Sequence, residues 1–226
     1  NAAAHPAATG GPALIVTLTI QNAGGPDLLT GVSSPDAASA TLEDVASPEG
    51  APVPAGMAPM LAADGAHIRL SGVAGPLADG RLIPITLHFA EAGALTAKAT
   101  LRIPGAPASN MPASNMHASN MHASNMHGGA MAPAGAPPPA VSLDVKPTGD
   151  GWLVAARTQN FTFAPEAMDG APVPGEGHAH LYIDGLKIMR MTAPETVIGA
   201  LPPGPHELRL ILNSNDHRAY MANGAP

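Results

Sequence analysis

The segment ALIVTLTIQNAGGPD (residues 13–27) carries the clearest structural signal in the chain. Its first eight residues are apolar or β-branched and end at a cluster of turn-forming residues, which predicts a buried β-strand. Short strands separated by Gly and Pro turns are typical of a small antiparallel β-sandwich or barrel. Further strand candidates of this kind lie at 39–45, 67–73, 82–89 and 94–103.

A second β-rich region follows a change in composition. Residues 104–140 contain no charged residue and consist mainly of Pro, Ala, Gly, Ser, Asn, Met and His, so we expect a disordered linker. Strand candidates resume at 141–146, 151–157, 178–183, 186–191 and 206–213. The sequence therefore predicts an all-β chain with a flexible N-terminus (1–12), a first β-sandwich domain (13–103), the linker (104–140) and a second small β domain (141–226).

Composition argues against several classes of function. Lys and Arg total ten and form no basic stripe, so nucleic acid is not an expected partner. No apolar run reaches the roughly 20 residues that a membrane span requires. Cysteine is absent, which removes disulfides and thiolate metal sites. The chain begins at Asn1 rather than Met, and we expect a periplasmic or otherwise extracytoplasmic protein whose signal peptide has been removed.

A five-residue repeat lies inside the predicted linker. ASNMP at 108–112 is followed by three copies of ASNMH that end at residue 127. Thioether sulfur is a soft donor that suits Cu(I), and imidazole binds Cu(I) or Cu(II). A spacer produced by repeat slippage is the alternative, but slippage does not explain why the repeated pair is Met and His. The predicted copper ligands of the repeat are Met111, Met116, His117, Met121, His122, Met126 and His127.

The segment HAHLYIDGLKIMRM (178–191) predicts a β-hairpin. Asp184 and Gly185 form the preferred residue pair for a two-residue type I′ turn. Such a turn places Ile183 opposite Leu186 and thereby fixes the register of the two strands.

This hairpin predicts a second metal site. Counting back from the turn in regular register puts His180 opposite Met189 and His178 opposite Met191. Residues two apart share one face of a strand, so these four side chains would form a His2Met2 cluster. His217, in the segment NSNDH, is a further candidate ligand from the last strand. Core packing by the methionines is the alternative, since Met fills cores readily.

Residues 13–103 resemble the PCuAC family of periplasmic copper chaperones. The resemblance rests on LTIQNAGGPDLLTGVSSPDAASATLE (18–43), APVPAG (51–56) and GAHIRLSGVAGPLADGRLIPITLHFAEAG (65–93), followed by a Met/His-rich segment. It implies a cupredoxin-like β-sandwich that binds Cu(I) through two His and two Met and hands it towards the copper centre of a terminal oxidase. Of that ligand set this chain matches His67, whereas Glu43 stands where the family has its first His.

Together these patterns predict a non-enzymatic, extracytoplasmic copper-binding protein. We expect it to capture Cu(I), with Cu(II) as the second choice, and to deliver or buffer the metal. Its expected partners are copper ions and donor or acceptor copper proteins such as terminal oxidase assembly factors. Two alternatives stay open at this point: a copper redox enzyme of dismutase or oxidase type, and a structural or adhesion module with a zinc-stabilised hairpin.

Overall fold

The structure, a computed structural model, describes residues 2–7, 13–105 and 137–221. We call residues 2–105 the N-terminal part and residues 137–221 the C-terminal part. Apart from one turn of 3-10 helix at Pro165–Ala167, the regular structure of the described residues is β-strand. The all-β class predicted from the sequence is confirmed.

The N-terminal part contains nine strands, which are β1 (Ala2–Pro6), β2 (Ala13–Thr19), β3 (Asp27–Ser33), β4 (Ala37–Glu43), β5 (Ala51–Val53), β6 (Met60–Leu61), β7 (His67–Val73), β8 (Leu82–Phe89) and β9 (Gly93–Leu101). The C-terminal part contains seven, which are β10 (Ala140–Thr148), β11 (Gly151–Gln159), β12 (Thr162–Phe163), β13 (Glu176–Ile183), β14 (Leu186–Met191), β15 (Glu195–Gly199) and β16 (Leu208–Asn213).

The central strand β2 shows why the sequence folds this way. Its residues Leu14, Ile15 and Val16 are all buried although neighbouring side chains point to opposite faces of the strand. Both faces of β2 are therefore covered, as a continuous apolar run predicts. β2 pairs with β1, β6 and β7 along its two edges, and β1 continues the sheet through β9, β8, β3 and β5.

The C-terminal part contributes to two sheets. β13 is its central strand and pairs with β12, β14 and β16, while β10, β11 and β15 form a separate three-stranded sheet. β14 also pairs with β6 through Lys187 and Met60, so one sheet runs through both parts of the chain. Among the described residues there is no helix of the length and apolar character needed to cross a bilayer.

The two parts contact each other at the turn between β13 and β14. The backbone N–H of Ala46 donates to the carbonyl of Asp184 at 2.9 Å, and that of Ala66 donates to the carbonyl of Gly185 at 2.8 Å. A Cβ atom on Gly185 would lie 1.9 Å from the carbonyl oxygen of Asp44, so only glycine fits this approach. The division into two domains stays a prediction, but the two parts are joined by backbone hydrogen bonds as well as by the sheet.

Candidate metal centre

The turn between β13 and β14 forms as predicted. Asp184 and Gly185 have φ values of 48° and 87°, and a type I′ turn requires positive φ at both positions. Ile183 pairs with Leu186 directly across the turn.

The predicted register beyond the turn is wrong, because a β-bulge intervenes. Tyr182 pairs with Lys187 but Leu181 pairs with Met189, so Ile188 is an extra residue in β14. A one-residue shift moves all later side chains to the other face of the ribbon. His180 therefore lies opposite Arg190.

The bulge separates the two methionines from the two histidines. Met191 pairs with Ala179 and is 1% exposed in the hydrophobic core. The sulfur of Met189 accepts a hydrogen bond from the Thr196 hydroxyl at 3.4 Å. Ile188 is also buried in the core. Regular alternation could not direct Ile188 and both methionines to the core together, and the bulge does so. The structure does not form the predicted His2Met2 cluster.

Three histidines instead form a cluster, which we call the histidine triad: His178, His180 and His217. One ring nitrogen of each lies within 4.8 Å of the others. The Nε2 atoms of His178 and His180 are 3.0 Å apart, and the ring centroids of His178 and His217 are 4.7 Å apart. His178 and His180 are 1% and 3% exposed, whereas the side chain of His217 is 21% exposed. The structure thus brings His217 to the histidine pair of β13.

A tight turn after β16 positions His217. Asn213 pairs with His178 across the β13–β16 ladder, so the end of β16 lies beside the histidine pair. The chain then reverses: Ser214 accepts a hydrogen bond from the backbone N–H of His217 at 2.9 Å, and the Asn213 side chain donates to the His217 carbonyl at 3.2 Å. His217 itself adopts a left-handed backbone with φ of 65°, which a non-glycine residue adopts only when the surrounding contacts hold it there.

Two carboxylates contact the triad from other segments of the chain. Asp64, in the loop between β6 and β7, places Oδ2 3.3 Å from Nδ1 of His180. Asp169, which follows the 3-10 turn, accepts a hydrogen bond from Nε2 of His217. A carboxylate that binds one ring nitrogen fixes the tautomer of a histidine and leaves the other nitrogen free for a metal.

Two ring nitrogens of the triad lack a hydrogen-bond partner in the part of the chain that the structure describes, and one of them lies opposite the Asp169 contact of His217. Nδ1 of His217 and Nδ1 of His178 are both buried and have no hydrogen-bond partner among the described residues. Buried polar atoms without a partner are uncommon and call for an explanation such as a metal ion or an ordered water.

Burial keeps the histidine pair neutral. It lowers the pKa of His178 to about 3, with His180 as the next contributor. It also lowers the pKa of His180 to about 4, although the contact with Asp64 acts in the opposite direction. Burial alone would raise the pKa of Asp64, but His180 and Lys187 together hold it well below its usual range. Neutral imidazole is the form that binds metal ions.

The spacing of the triad suits a transition-metal ion. With bonds of about 2.0 Å to each nitrogen, the 3.0 Å between the Nε2 atoms of His178 and His180 corresponds to an N–metal–N angle of about 97°. That angle lies between the values for square-planar and tetrahedral coordination. Nitrogens bound to one ion at that angle are about 3 Å apart, so the triad, whose nitrogens lie within 4.8 Å of one another, would contract by up to about 2 Å around an ion.

The remaining predicted ligands lie elsewhere. His67 is buried in β7, where its Nδ1 lies 2.9 Å from the carbonyl oxygen of Gly65 and its Nε2 lies 3.4 Å from the Glu43 carboxylate. Both of its ring nitrogens therefore face oxygen acceptors away from the triad. The repeat residues Met111, Met116, His117, Met121, His122, Met126 and His127 lie outside the described residues.

Sequence reasoning missed both carboxylates. Asp64 is more than 100 residues away from His180 along the chain, and no local pattern connects the two. Asp169 has a positive φ of 67° and its backbone N–H donates to the Asn215 carbonyl at 2.9 Å. The dipeptide Asp169-Gly170 signals a turn, but not its contact with His217.

Comparisons with known proteins concern the N-terminal part. Residues 1–101 match the sequence model of a family described as putative LpqE-like lipoproteins. No curated protein sequence matches the chain. Similar solved structures include the copper-bound PCuAC domain from PmoF2, with 24% identity, a TM-score of 0.40, and coverage of 46% of this chain and 89% of that one. The apo PCuAC domain from PmoF1 has 26% identity, a TM-score of 0.40, and coverage of 46% and 90%. The resemblance stated from the sequence is thus confirmed: the comparisons match the N-terminal part to the LpqE-like family and find it similar to PCuAC domains.

Proposed function

We propose that this chain is an extracytoplasmic copper-binding protein whose structured site is the histidine triad. The observation that supports the proposal most directly is the convergence of three ring nitrogens within 4.8 Å, two of the histidines being held by carboxylates. Such carboxylate–histidine pairs are the usual surroundings of metal-binding imidazoles. The description of the matching family as putative lipoproteins supports a location outside the cytoplasm.

The donor atoms favour copper at both sites, with Cu(II) at the triad and Cu(I) at the repeat. The triad offers imidazole nitrogen, which suits Cu(II) or Zn(II), and nitrogen sites bind Cu(II) more tightly than Zn(II). The Met/His repeat at 108–127 offers thioethers, which suit Cu(I). The chain would therefore hold Cu(II) at the triad and capture Cu(I) on the repeat, which is the behaviour of a copper chaperone or buffer that exchanges metal with other copper proteins.

Metal titration of three variants tests this proposal. His178→Ala/His180→Ala is expected to lose one Cu(II) per chain and to keep the Cu(I) of the repeat. Deletion of residues 108–131 is expected to do the reverse. His67→Ala is the matched control, because His67 is a buried histidine outside the triad, and it should keep both metals.

Two outcomes would contradict the proposal. Unchanged stoichiometry in both test variants would show that neither site binds copper. Zinc that resists displacement by a stoichiometric amount of Cu(II) would favour a zinc-stabilised module.

A further inference from the structure

We propose that Asp64 of the N-terminal part is a positioning residue for the histidine triad, so that metal binding in the C-terminal part depends on a carboxylate from the other part of the chain. This inference rests on the proposed function and assigns a role to a residue outside the triad itself.

One oxygen atom of Asp64 receives contacts from three side chains of the β13–β14 hairpin. Oδ2 accepts a hydrogen bond from Lys187 Nζ at 2.7 Å and another from the Tyr182 hydroxyl at 3.0 Å. The same oxygen lies 3.3 Å from Nδ1 of His180. The side chains of Lys187 and His180 are each 4% exposed, so their polar atoms depend on this carboxylate rather than on solvent.

These contacts determine which nitrogen of His180 carries the proton. Nδ1 faces the Asp64 carboxylate and also the Tyr182 oxygen at 3.5 Å. A carboxylate cannot donate, so the arrangement favours the tautomer with hydrogen on Nδ1. Nε2 then presents its lone pair towards Nε2 of His178, 3.0 Å away. A metal bound between the two rings needs that lone pair.

The backbone holds Asp64 in this place. The N–H of Ala62 donates to the Ala66 carbonyl at 2.8 Å, and the N–H of Ala66 donates to the Gly185 carbonyl at the same distance. A Cβ atom on Gly65 would lie 2.8 Å from the Gly185 oxygen and 2.9 Å from the Tyr182 ring. The loop that carries Asp64 is thus packed directly against the hairpin that carries His180.

Coupling between the two parts follows from this geometry. Metal binding requires His180 in one tautomer, and that tautomer is stabilised when the loop of Asp64 contacts the hairpin. By linkage, an ion bound at the triad stabilises the contact between the two parts to the same extent.

Substitution of Asp64 alone would leave Lys187 buried without its carboxylate, which is itself destabilising. The test therefore compares the full-length wild type with Lys187→Met and with Asp64→Asn/Lys187→Met. Lys187→Met removes the cation but keeps the carboxylate beside His180, so it is the matched control. Asp64→Glu keeps a carboxylate at this position, so it should retain the wild-type tautomer of His180 and the wild-type affinity for Cu(II).

The first readout is the tautomer of His180 in the metal-free chain, from long-range 15N–1H NMR with the signals assigned by His180→Gln. We expect hydrogen on Nδ1 in the wild type and in Lys187→Met, and a mixture of tautomers in Asp64→Asn/Lys187→Met. The wild-type measurement needs only the assignment variant, so it remains decisive even if Asp64→Asn/Lys187→Met fails to fold. Hydrogen on Nε2 in the wild type would overturn the inference.

The second readout is Cu(II) affinity by competition with a chelator. Asp64→Asn/Lys187→Met is expected to bind Cu(II) roughly 10- to 100-fold more weakly than Lys187→Met. Equal affinities of these two variants would overturn the role of Asp64 while leaving the proposed function in place. A wild-type chain that binds no Cu(II) would overturn both.

Discussion

Acidification should destabilise the metal-free protein through the buried pair His178 and His180. Both are neutral in the folded state, with pKa values of about 3 and about 4, whereas an unfolded histidine has a pKa of about 6.5. Because the folded-state values are depressed, the unfolded chain takes up protons first as the pH falls. Stability is therefore fully present above about pH 6.5 and is lost as the pH decreases towards the folded-state values.

The size of the effect at pH 5 follows from the unfolded state alone. Both folded-state pKa values lie below 5, so both rings are mostly neutral in the folded protein at that pH. pH 5 lies about 1.5 units below the pKa of an unfolded histidine. At about 1.4 kcal/mol per unit, protonation of each histidine in the unfolded chain lowers the free energy of unfolding by about 2 kcal/mol. The pair therefore costs about 4 kcal/mol, a large fraction of the 5–15 kcal/mol by which typical domains are stable.

Urea unfolding with a chelator present, at about pH 7.5 and about pH 5, measures this loss. His178→Gln/His180→Gln is the comparison, because glutamine does not titrate and the other ionisable groups are the same. The wild type is expected to lose about 4 kcal/mol more than the double variant between the two pH values, and more than either single variant by about half that amount. The same pH dependence in wild type and double variant would show that protons reach these rings in the folded state.

Three further variants test other parts of the structure. Met189→Leu/Met191→Leu should leave Cu(II) binding at the triad unchanged, since both thioethers lie on the other face of the hairpin; loss of one Cu(II) in a titration would contradict the bulged register. Gly185→Ala should lower the free energy of unfolding by about 3 kcal/mol, because its Cβ would lie 1.9 Å from a carbonyl oxygen at a φ of 87°; an unchanged urea midpoint would refute this. Burial lowers the pKa of His206, but its hydrogen bond to Asp184 outweighs burial and the net shift is upward. His206→Asn should therefore destabilise the protein most below about pH 6.5, and the deficit measured by urea unfolding should shrink as the pH rises through the elevated folded-state pKa.

Local sequence was sufficient for the longer strands and insufficient for the short ones. The run at 13–20 corresponds to β2, whose apolar residues are buried on both faces of the strand. The run at 82–89 corresponds to β8, in which buried and more exposed residues alternate. β1 (Ala2–Pro6) lies in the segment that the sequence predicts to be a flexible N-terminus, because alanine has little preference for strands. It forms because it lies between β2 and β9 and pairs with both, which is information about neighbours distant in the chain.

The same limit applies to the candidate metal site. The Asp184-Gly185 turn and the histidines of β13 were predictable from residues in direct succession. The bulge at Ile188 was not, because it depends on which side chains the core accepts on either side of the hairpin. The carboxylates of Asp64 and Asp169 were not predictable either, since they reach the triad from loops that are brought close only by the folded sheet.

The bulge at Ile188 determines whether the thioether sulfurs of β14 lie on the same face as the histidine triad. A single inserted residue before Ile188, accommodated by the same bulge, would move Met189 opposite His180 and turn Arg190 towards the core side. The imidazole set would then gain thioether donors without any change of residue type in β13. The choice between cupric and cuprous ions at this face of the hairpin is thus set by strand register as well as by residue type.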